Sequence, residues 1–517
     1  MKPPRLLYAP DDLAAVLGGT GSDPHALDLL VAGQRGQRLL TLRALLDAVR
    51  GAPAGTLPEG TADRLLRDWR LLEDAERADR AAARRVVHYP LTGAWAERCL
   101  RDLTRPGRAP RAAAELPHLA ALAASAAARA GLRFTAEVPV RDGVLTLPTL
   151  GRYRPPAPTA GATGQARVDG DGNRLWLHLD AWSGERSPGP AGEWATGHPY
   201  DPAHRRPDDR GVPGRDPHMK PRERPYRWPY DHPVGRRPDP PRAVEVRRGP
   251  DGVWRSAAPG WRPIQALWTE DHRPVLIDDA DPYRDEEDRT DPYGLAPADG
   301  LDRVEHAGWR TAWRDAQPWL RLGDGTRARE VDALLECVVP LAGSPAAQYS
   351  GTLGTAFGAL LSSTPRGGLR LAAALVHELQ HTKLIALSRL TPLHTADDTP
   401  RHWAPWRPDP RPFEGVFQGA YAHLALAEFH LAVALTATAP AVRESAWAAH
   451  CRRRAQVEAV LPQLLGSSRL TPQGRTVVTA MTAHHTRLAR HVPPDGHLAR
   501  AAAYVETTRA IWRRQRA

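Results

Sequence analysis

One stretch of the chain, residues 371–387, limits more than any other what the protein can fold into. Its six leucine and isoleucine side chains point to nearly every side of a helix, and such a helix is stable only when it is buried on most sides. The same stretch contains His377, Glu378 and His381. An unpaired buried polar group costs about 1–3 kcal/mol, so these side chains need partners inside the core. We therefore expect a central helix that carries a polar site.

The two histidines in this helix have the spacing of metal ligands. His377 and His381 are four residues apart, which places both imidazoles on one face of the helix, one turn apart. Glu378 lies about 100° around the helix, from where its carboxylate can reach a water on the metal. A metal ion would satisfy both imidazoles. Hydrogen bonds from the histidines to neighbouring backbone groups are the competing interpretation.

Zinc and mononuclear iron sites usually take three protein ligands, so a third must come from elsewhere. The prolines up to Pro412 predict an ordered, non-helical loop, and a second apolar helix begins near Gly415. On that helix Gly419, His423, Ala427 and His430 form one stripe, whose small residues would let another helix approach His423. We predict His423 as the third ligand, and a core histidine is the alternative. The reserve candidates are Glu414, Glu428, His394 and His430, among which a carboxylate would complete a two-histidine-one-carboxylate site.

Two classes of metal enzyme fit these residues. In zinc hydrolysis, Glu378 would act as general base on a zinc-bound water. In iron(II) oxygen activation, three positions on the metal stay open for a 2-oxo acid and dioxygen. The far carboxylate of that acid needs a cation, most often an arginine. Arg411 and Arg407 precede the His423 helix, and we predict them as this anchor from their position. A third interpretation is a non-catalytic peptide-binding protein.

The rest of the chain predicts an α+β fold that is mainly α-helical, with a small antiparallel β region in the middle and a Pro-rich insertion. Residues 1–135 form an N-terminal helical region by their apolar spacing. Residues 136–300 form the β region, and residues 301–517 form a helical domain that carries the two histidines. Pro, Gly, Arg, Asp and His dominate residues 183–250, which we expect to be an exposed or disordered insertion.

Two hairpins are predicted in the β region. Residues 174–180 alternate between apolar and polar side chains and follow an Asp- and Gly-rich turn at 169–173. That turn resembles part of a calcium loop, but Arg174 stands where such a loop needs glycine, so a hairpin turn is expected. Residues 264–268 and 275–277 predict a second hairpin.

Charge and cysteine content narrow the partners and the compartment. The net charge is +11, but lysine occurs only at Lys2, Lys220 and Lys383, so the excess is almost entirely arginine spread along the chain. We expect no nucleic-acid partner, and an acidic peptide is the partner this charge would attract. No apolar run reaches the length of a membrane span. The three cysteines lie far apart and no secretory signal is visible, so we expect a cytoplasmic protein. Nothing in the sequence predicts the number of subunits.

Three segments together resemble a known enzyme family. They are residues 374–387 (ALVHELQHTKLIAL), the loop at 406–412 (WRPDPRP) and residues 418–423 (QGAYAH). This combination resembles the HExxH-type peptide β-hydroxylases of pathways that make ribosomally synthesised, post-translationally modified peptides. Weaker similarity extends over residues 255–435 and includes 279–284, 338–341 and 355–360. HExxH alone also occurs in many zinc peptidases, whereas the combination is more specific.

The resemblance implies a 2-oxoglutarate-dependent dioxygenase that holds Fe(II) with His377, His381 and His423. Glu378 would then be an active-site residue, and Gln418 and Tyr421 would contact the co-substrate. The implied reaction hydroxylates the β-carbon of a residue in a ribosomally made precursor peptide, while 2-oxoglutarate is converted to succinate. The insertion at 183–250 departs from the family pattern.

Overall fold

The computed structural model of the protein describes residues 10–155, 163–178, 243–285, 296–342 and 349–516. Within these ranges helices predominate, and the strands form two large sheets and one short hairpin. The predicted α+β class, mainly helical with an antiparallel β region in the middle of the chain, is confirmed. No helix in the described ranges combines the length and the apolar character needed to cross a membrane.

In the described part of the chain, seven helices precede the first strand. Helix α2 begins after Asp23, whose carboxylate accepts a hydrogen bond from the backbone N–H of Ala26 and so caps the helix. The alanine-rich α7 is buried along almost its whole length. The bounds are α1 (Pro10–Gly18), α2 (Pro24–Arg50), α3 (Thr61–Ala78), α4 (Arg80–Val87), α5 (Pro90–Thr104), α6 (Ala109–Glu115) and α7 (His118–Arg129).

The first sheet has eight strands, in the order β7-β6-β5-β4-β1-β2-β3-β8, and every neighbouring pair is antiparallel. Small side chains of α7 pack against its buried apolar residues. The strand bounds are β1 (Arg133–Arg141), β2 (Val144–Leu147), β3 (Gly151–Tyr153), β4 (Gly164–Asp171), β5 (Arg174–His178), β6 (Ala243–Arg248), β7 (Trp254–Arg255) and β8 (Trp261–Pro263).

The predicted turn at 169–173 is a hairpin turn. Asp171 of β4 pairs with Arg174 of β5 in antiparallel register. Gly172, between them, has a φ of 62°, a left-handed conformation that glycine adopts without steric cost. The hairpin prediction is therefore confirmed, although residues 179 and 180 of the predicted strand lie outside the described residues.

The end of the predicted insertion at 183–250 is wrong, because β6 lies within it. Val244 and Val246 are buried and alternate with Glu245 and Arg247, and the strand pairs with β5. This period of two is the pattern of a half-buried strand. The strand is short and follows directly on the Pro-rich residues, so the composition of the whole stretch concealed it. The rest of the predicted insertion, up to residue 242, lies outside the described residues.

The second sheet has five strands in the order β12-β13-β11-β10-β9. β9 and β10 are antiparallel, which confirms the second predicted hairpin, whereas β10–β11 and β11–β13 are parallel. The sheet thus crosses the predicted boundary between residues 300 and 301 and adds strands to a region predicted to be helical. The bounds are β9 (Gln265–Trp268), β10 (Pro274–Ile277), β11 (Cys337–Leu341), β12 (Ser350–Thr352) and β13 (Ala359–Ser363).

Helix α10 lies at the centre of the remaining elements. It packs against α2, α8, α9, α11 and β12, and its leucines belong to the largest apolar core. The predicted non-helical loop before α11 forms the hairpin β14 (His402–Ala404) and β15 (Arg407–Arg411). The helix bounds are α8 (Arg303–Leu320), α9 (Thr326–Leu334), α10 (Gly368–Leu390), α11 (Phe413–Thr436), α12 (Pro440–Glu458), α13 (Leu461–Leu465), α14 (Pro472–Leu488) and α15 (His497–Arg514).

Candidate metal centre

Helix α10 brings two imidazole nitrogens to the spacing of metal ligands. The Nε2 atoms of His377 and His381 are 3.1 Å apart, and the two rings are nearly perpendicular. Two nitrogens bound at about 2.0–2.1 Å to one cation lie about 2.8–3.4 Å apart, with the lower end of this range for octahedral and the upper end for tetrahedral geometry. The regular helical backbone therefore places both nitrogens where they can bind the same metal ion.

Helix α11 brings His423 beside this pair. The ring centroid of His423 lies 5.6 Å from that of His377 and 4.6 Å from that of Trp406. A Cβ on Gly419, one turn before His423, would lie 2.4 Å from the Trp406 ring. The small residue on the predicted stripe is thus needed for the approach of an indole to His423. We call His377, His381 and His423 the histidine cluster.

The histidine cluster meets part of the requirements of a three-ligand site. The Nδ1 atoms of His377 and His423 are buried and have no hydrogen-bond partner among the described residues. Burial lowers the pKa of both histidines well below the ordinary value, so both rings are neutral and carry a lone pair. However, no group of three His, Cys, Asp or Glu side chains in the described ranges is arranged to hold a metal ion. His377 and His381 form the pair of donors, and His423 lies beside them as the candidate for the third.

The orientation of His381 is set by a chain of two further residues on α11. Gln418 Nε2 donates to Glu414 Oε1 at 2.7 Å, so the amide oxygen of Gln418 faces His381 Nδ1, 3.2 Å away. An oxygen only accepts, so Nδ1 must carry the proton and Nε2 must present its lone pair to the other histidine. Glu414 also accepts a hydrogen bond from His394 at 2.6 Å. This is the outer-shell arrangement that fixes the tautomer of a metal-binding histidine.

Substitution of Gln418 by leucine should weaken metal binding without removing a ligand. The leucine side chain cannot accept a hydrogen bond from Nδ1 of His381, so the imidazole loses the contact that fixes its tautomer and orientation. We expect the dissociation constant for Co(II) or Zn(II) to rise about 10- to 100-fold, measured by competition with a chelator. Gln418→Glu is the control, because it retains an oxygen at this place. Equal affinities of Gln418→Leu and the wild type would contradict an orienting role.

Glu378 is held by the second sheet. Its two carboxylate oxygens accept hydrogen bonds from the hydroxyls of Ser350 and Thr352 on β12, at 2.7 and 2.8 Å. The side chain is buried, and its position about 100° around α10 from His377 is the one predicted from the sequence. It joins the site helix to the edge of the sheet.

The two arginines predicted as an anion anchor lie together on β15 and share one acid. Arg407 Nε donates to Asp409 Oδ1 at 2.9 Å, and a nitrogen of Arg411 lies 3.6 Å from Asp409 Oδ2. Hydrogen bonds and charge from these arginines outweigh the effect of burial and lower the pKa of Asp409. Arg411 also packs over Gly415, and its Nε is buried without a partner in the described part of the chain. Both arginines therefore already have a counterion.

Tyr421 lies in a different cluster from the one predicted for it. Its hydroxyl donates to the backbone carbonyl of Leu17 near the end of α1, and the ammonium group of Lys383 lies 5.7 Å from its ring centroid. Two residues along a helix correspond to about 200°, so Tyr421 and His423 leave α11 on nearly opposite sides. The prediction that Tyr421 contacts the co-substrate is therefore wrong.

The reserve candidates for the third ligand are distributed over several contacts. Glu414 is connected to His381 indirectly, through a hydrogen bond to Gln418, and it is paired with His394. Glu428 is paired with Arg327 and His484 instead. His430 lies two turns beyond His423, where burial lowers its pKa to about 3.

Sequence reasoning missed two contributions to the site. It placed Trp406 in a motif without a role, and it gave Gln418 the role of a co-substrate contact. No protein-family model matches this chain, and no curated protein matches it. What the chain does is therefore inferred from the geometry of its own side chains.

Proposed function

We propose that this protein is an iron(II)- and 2-oxoglutarate-dependent enzyme that hydroxylates the β-carbon of a residue in a ribosomally made precursor peptide. The observation that carries the proposal is the histidine cluster, in which two nitrogens 3.1 Å apart on α10 are accompanied by a third ring from α11. The three motif segments that resemble the peptide β-hydroxylases lie between residues 374 and 423, and each contributes a side chain to this cluster or beside it, from α10, at Trp406 and from α11.

His377, His381 and His423 would hold the iron. When bound, iron(II) supplies the oxidative chemistry: dioxygen and 2-oxoglutarate are consumed, one oxygen atom enters the peptide C–H bond, and succinate and carbon dioxide leave. The chain's own residues position the reactants. Gln418 and Glu414 keep the lone pair of His381 directed at the metal position, and Trp406 packs against the ring of His423.

The position of Glu378 supports oxidation over zinc-dependent hydrolysis. A general base for hydrolysis must hold the attacking water beside the metal ligands. Both oxygens of Glu378 accept hydrogen bonds from hydroxyl groups of β12, which anchor the carboxylate to the sheet. In the proposed enzyme Glu378 has a positioning role, because it ties the ligand-bearing helix to the second sheet.

An oxygen-free titration tests the proposal without knowledge of the peptide. Protein loaded with Fe(II) under argon should develop a visible charge-transfer band on addition of 2-oxoglutarate, because a 2-oxo acid chelated to iron(II) absorbs visible light. Admission of oxygen should then release succinate, and a random peptide library should gain the mass of one oxygen atom. Cleavage of the same library by zinc-loaded protein without 2-oxoglutarate would contradict the proposal. If such zinc-dependent cleavage were found, Glu378→Gln should abolish it while zinc stays bound.

A further inference from the structure

Helix α12 carries three consecutive arginines that face different neighbours. The guanidinium of Arg452 lies 5.8 Å from the ring centroid of Tyr504 on α15. Arg454 lies where α12 meets α14, and its backbone carbonyl accepts a hydrogen bond from His485. Arg453 lies between these two directions, about 100° from each. The three side chains therefore form a natural set of one test position and two controls.

The packing of α12 on α11 places Arg453 opposite the histidine cluster. The two helices are joined by three residues, so they run antiparallel. His450 hydrogen-bonds to the backbone carbonyl of Ala427, which sets their register. One turn further along α12 and one turn back along α11, this register places Arg453 opposite His423, and the charge of Arg453 adds to burial in lowering the pKa of His423. On the next turn Gln456 donates to the carbonyl of Pro405, the residue before Trp406.

Among the described residues, Arg453 has no counterion. Its Nη1 donates to the amide oxygen of Gln456 at 3.2 Å, and its Nε is buried without a partner. No carboxylate in the described part of the chain forms an ion pair with it, whereas Arg407 and Arg411 share Asp409. Burial lowers the pKa of Arg453 to about 10, so the group remains a cation at neutral pH. A desolvated cation beside neutral imidazoles costs free energy that an incoming anion would recover.

We propose that Arg453 binds a carboxylate of a small acid at the histidine cluster, with the two N–H groups of its guanidinium as donors. The inference rests on the proposed function, in which that acid is 2-oxoglutarate and the bound group is its far carboxylate. It replaces the sequence-based assignment of the anchor to Arg411 or Arg407, since a guanidinium that lacks an acid partner is the better receptor for one.

Binding of 2-oxoglutarate to protein loaded with Zn(II), which supports no oxidation, tests this assignment by calorimetry. Arg453→Met should raise the dissociation constant about 10- to 100-fold, because hydrogen bonds between charged partners are lost. Arg452→Met and Arg454→Met, on the same helix, should change it less than about threefold. Arg453→Lys should be intermediate, because it keeps the charge and loses the fork of two donors.

Thermal unfolding without ligand separates binding from a structural role. Arg453→Met removes a largely desolvated charge that has no acidic partner among the described residues, so the unfolding midpoint of the ligand-free protein should stay equal or rise, while the upward shift that 2-oxoglutarate causes in the wild type should disappear. A lower midpoint together with unchanged affinity would overturn the inference. So would loss of affinity in Arg411→Met with full affinity in Arg453→Met, and the proposed function would survive that result. A zinc-loaded wild type that binds no 2-oxoglutarate would overturn both.

Discussion

Replacement of His381 by alanine is expected to abolish metal-dependent activity and to weaken the binding of Fe(II) or Co(II) more than about a hundredfold. Loss of an outer-shell partner typically costs 10- to 100-fold in metal affinity, and loss of a ligand should exceed that. His377→Ala should have an effect of the same size, because the two Nε2 atoms form the one pair at ligand spacing. Chelator competition measures the affinity, and the visible absorption of Co(II) reports the ligand environment.

The third position is decided by a matched set of variants on α11. His423→Ala should weaken metal binding, whereas His430→Ala, two turns along the same helix, should leave it within about threefold of the wild type. Glu414→Gln should have the moderate effect of a residue that acts through Gln418. Full metal affinity in His423→Ala together with loss in Glu414→Gln would instead assign the third bond to the carboxylate. The assignment of His423 as the third ligand would then be wrong, although His377 and His381 would remain as the first two.

The parts of the fold that the sequence predicts are those set by near neighbours in the chain. The burial of α10 follows from apolar residues that surround its axis, and the turn at Gly172 follows from residues that tolerate its backbone conformation. The pair of His377 and His381 belongs to the same category, because the helical repeat alone brings them together.

The strands of the second sheet could not be predicted in the same way. Every residue of β11 and β13 is buried, so neither strand shows the alternation that marks a half-exposed strand. Their parallel pairing also joins segments that are not adjacent in the chain. A short, fully buried apolar run does not distinguish a strand from a helix, and here the helical interpretation was wrong.

The candidate site shows the same division. The sequence places His423 on an apolar helix, and the helical repeat puts Tyr421 on the opposite side, but the partner of the Tyr421 hydroxyl lies on α1, some 400 residues earlier. The role of Gln418 depends on which of its amide atoms faces His381. Arg453 is singled out among the three arginines of α12 by its position opposite His423, and this becomes visible only after α12 packs on α11. Such properties belong to tertiary contacts.

A second large effect is expected at Glu330 of α9. This residue anchors α10 through a different side of the helix from the one that carries the two histidines. This carboxylate is fully buried and accepts hydrogen bonds from the ammonium of Lys383, from Arg327, from Gln380 and from the hydroxyl of Ser22. Lys383 follows His381 by two residues and is also fully buried. Burial lowers the pKa of Lys383 to about 8, an effect that Glu330 opposes. The pair joins α9, α10 and the residues between α1 and α2.

Glu330→Leu should lower the free energy of unfolding by about 3–5 kcal/mol, because it leaves a buried ammonium and a buried guanidinium without their shared acid. Equilibrium unfolding in urea, followed by circular dichroism, measures the change. Glu444→Leu is the matched control: the side chain of Glu444 is 62% exposed and pairs with His497 and Arg500, and its loss should cost less than about 1 kcal/mol. Similar losses in the two variants would contradict a special role of the buried acid.

A double variant separates the cost of unpaired charge from the worth of the ion pair itself. Glu330→Leu combined with Lys383→Met removes both charges of the pair and fills its volume with apolar atoms, while Arg327 keeps Glu428 as a partner. Buried pairs replaced in this way often lose little stability, so the double variant should be more stable than Glu330→Leu alone. If the double variant loses as much as the two single variants added together, the hydrogen bonds to Ser22 and Gln380 stabilise this junction more than the charges do. Metal affinity should follow the unfolding free energy in the same order, because the junction fixes the helix on which the first two histidines lie.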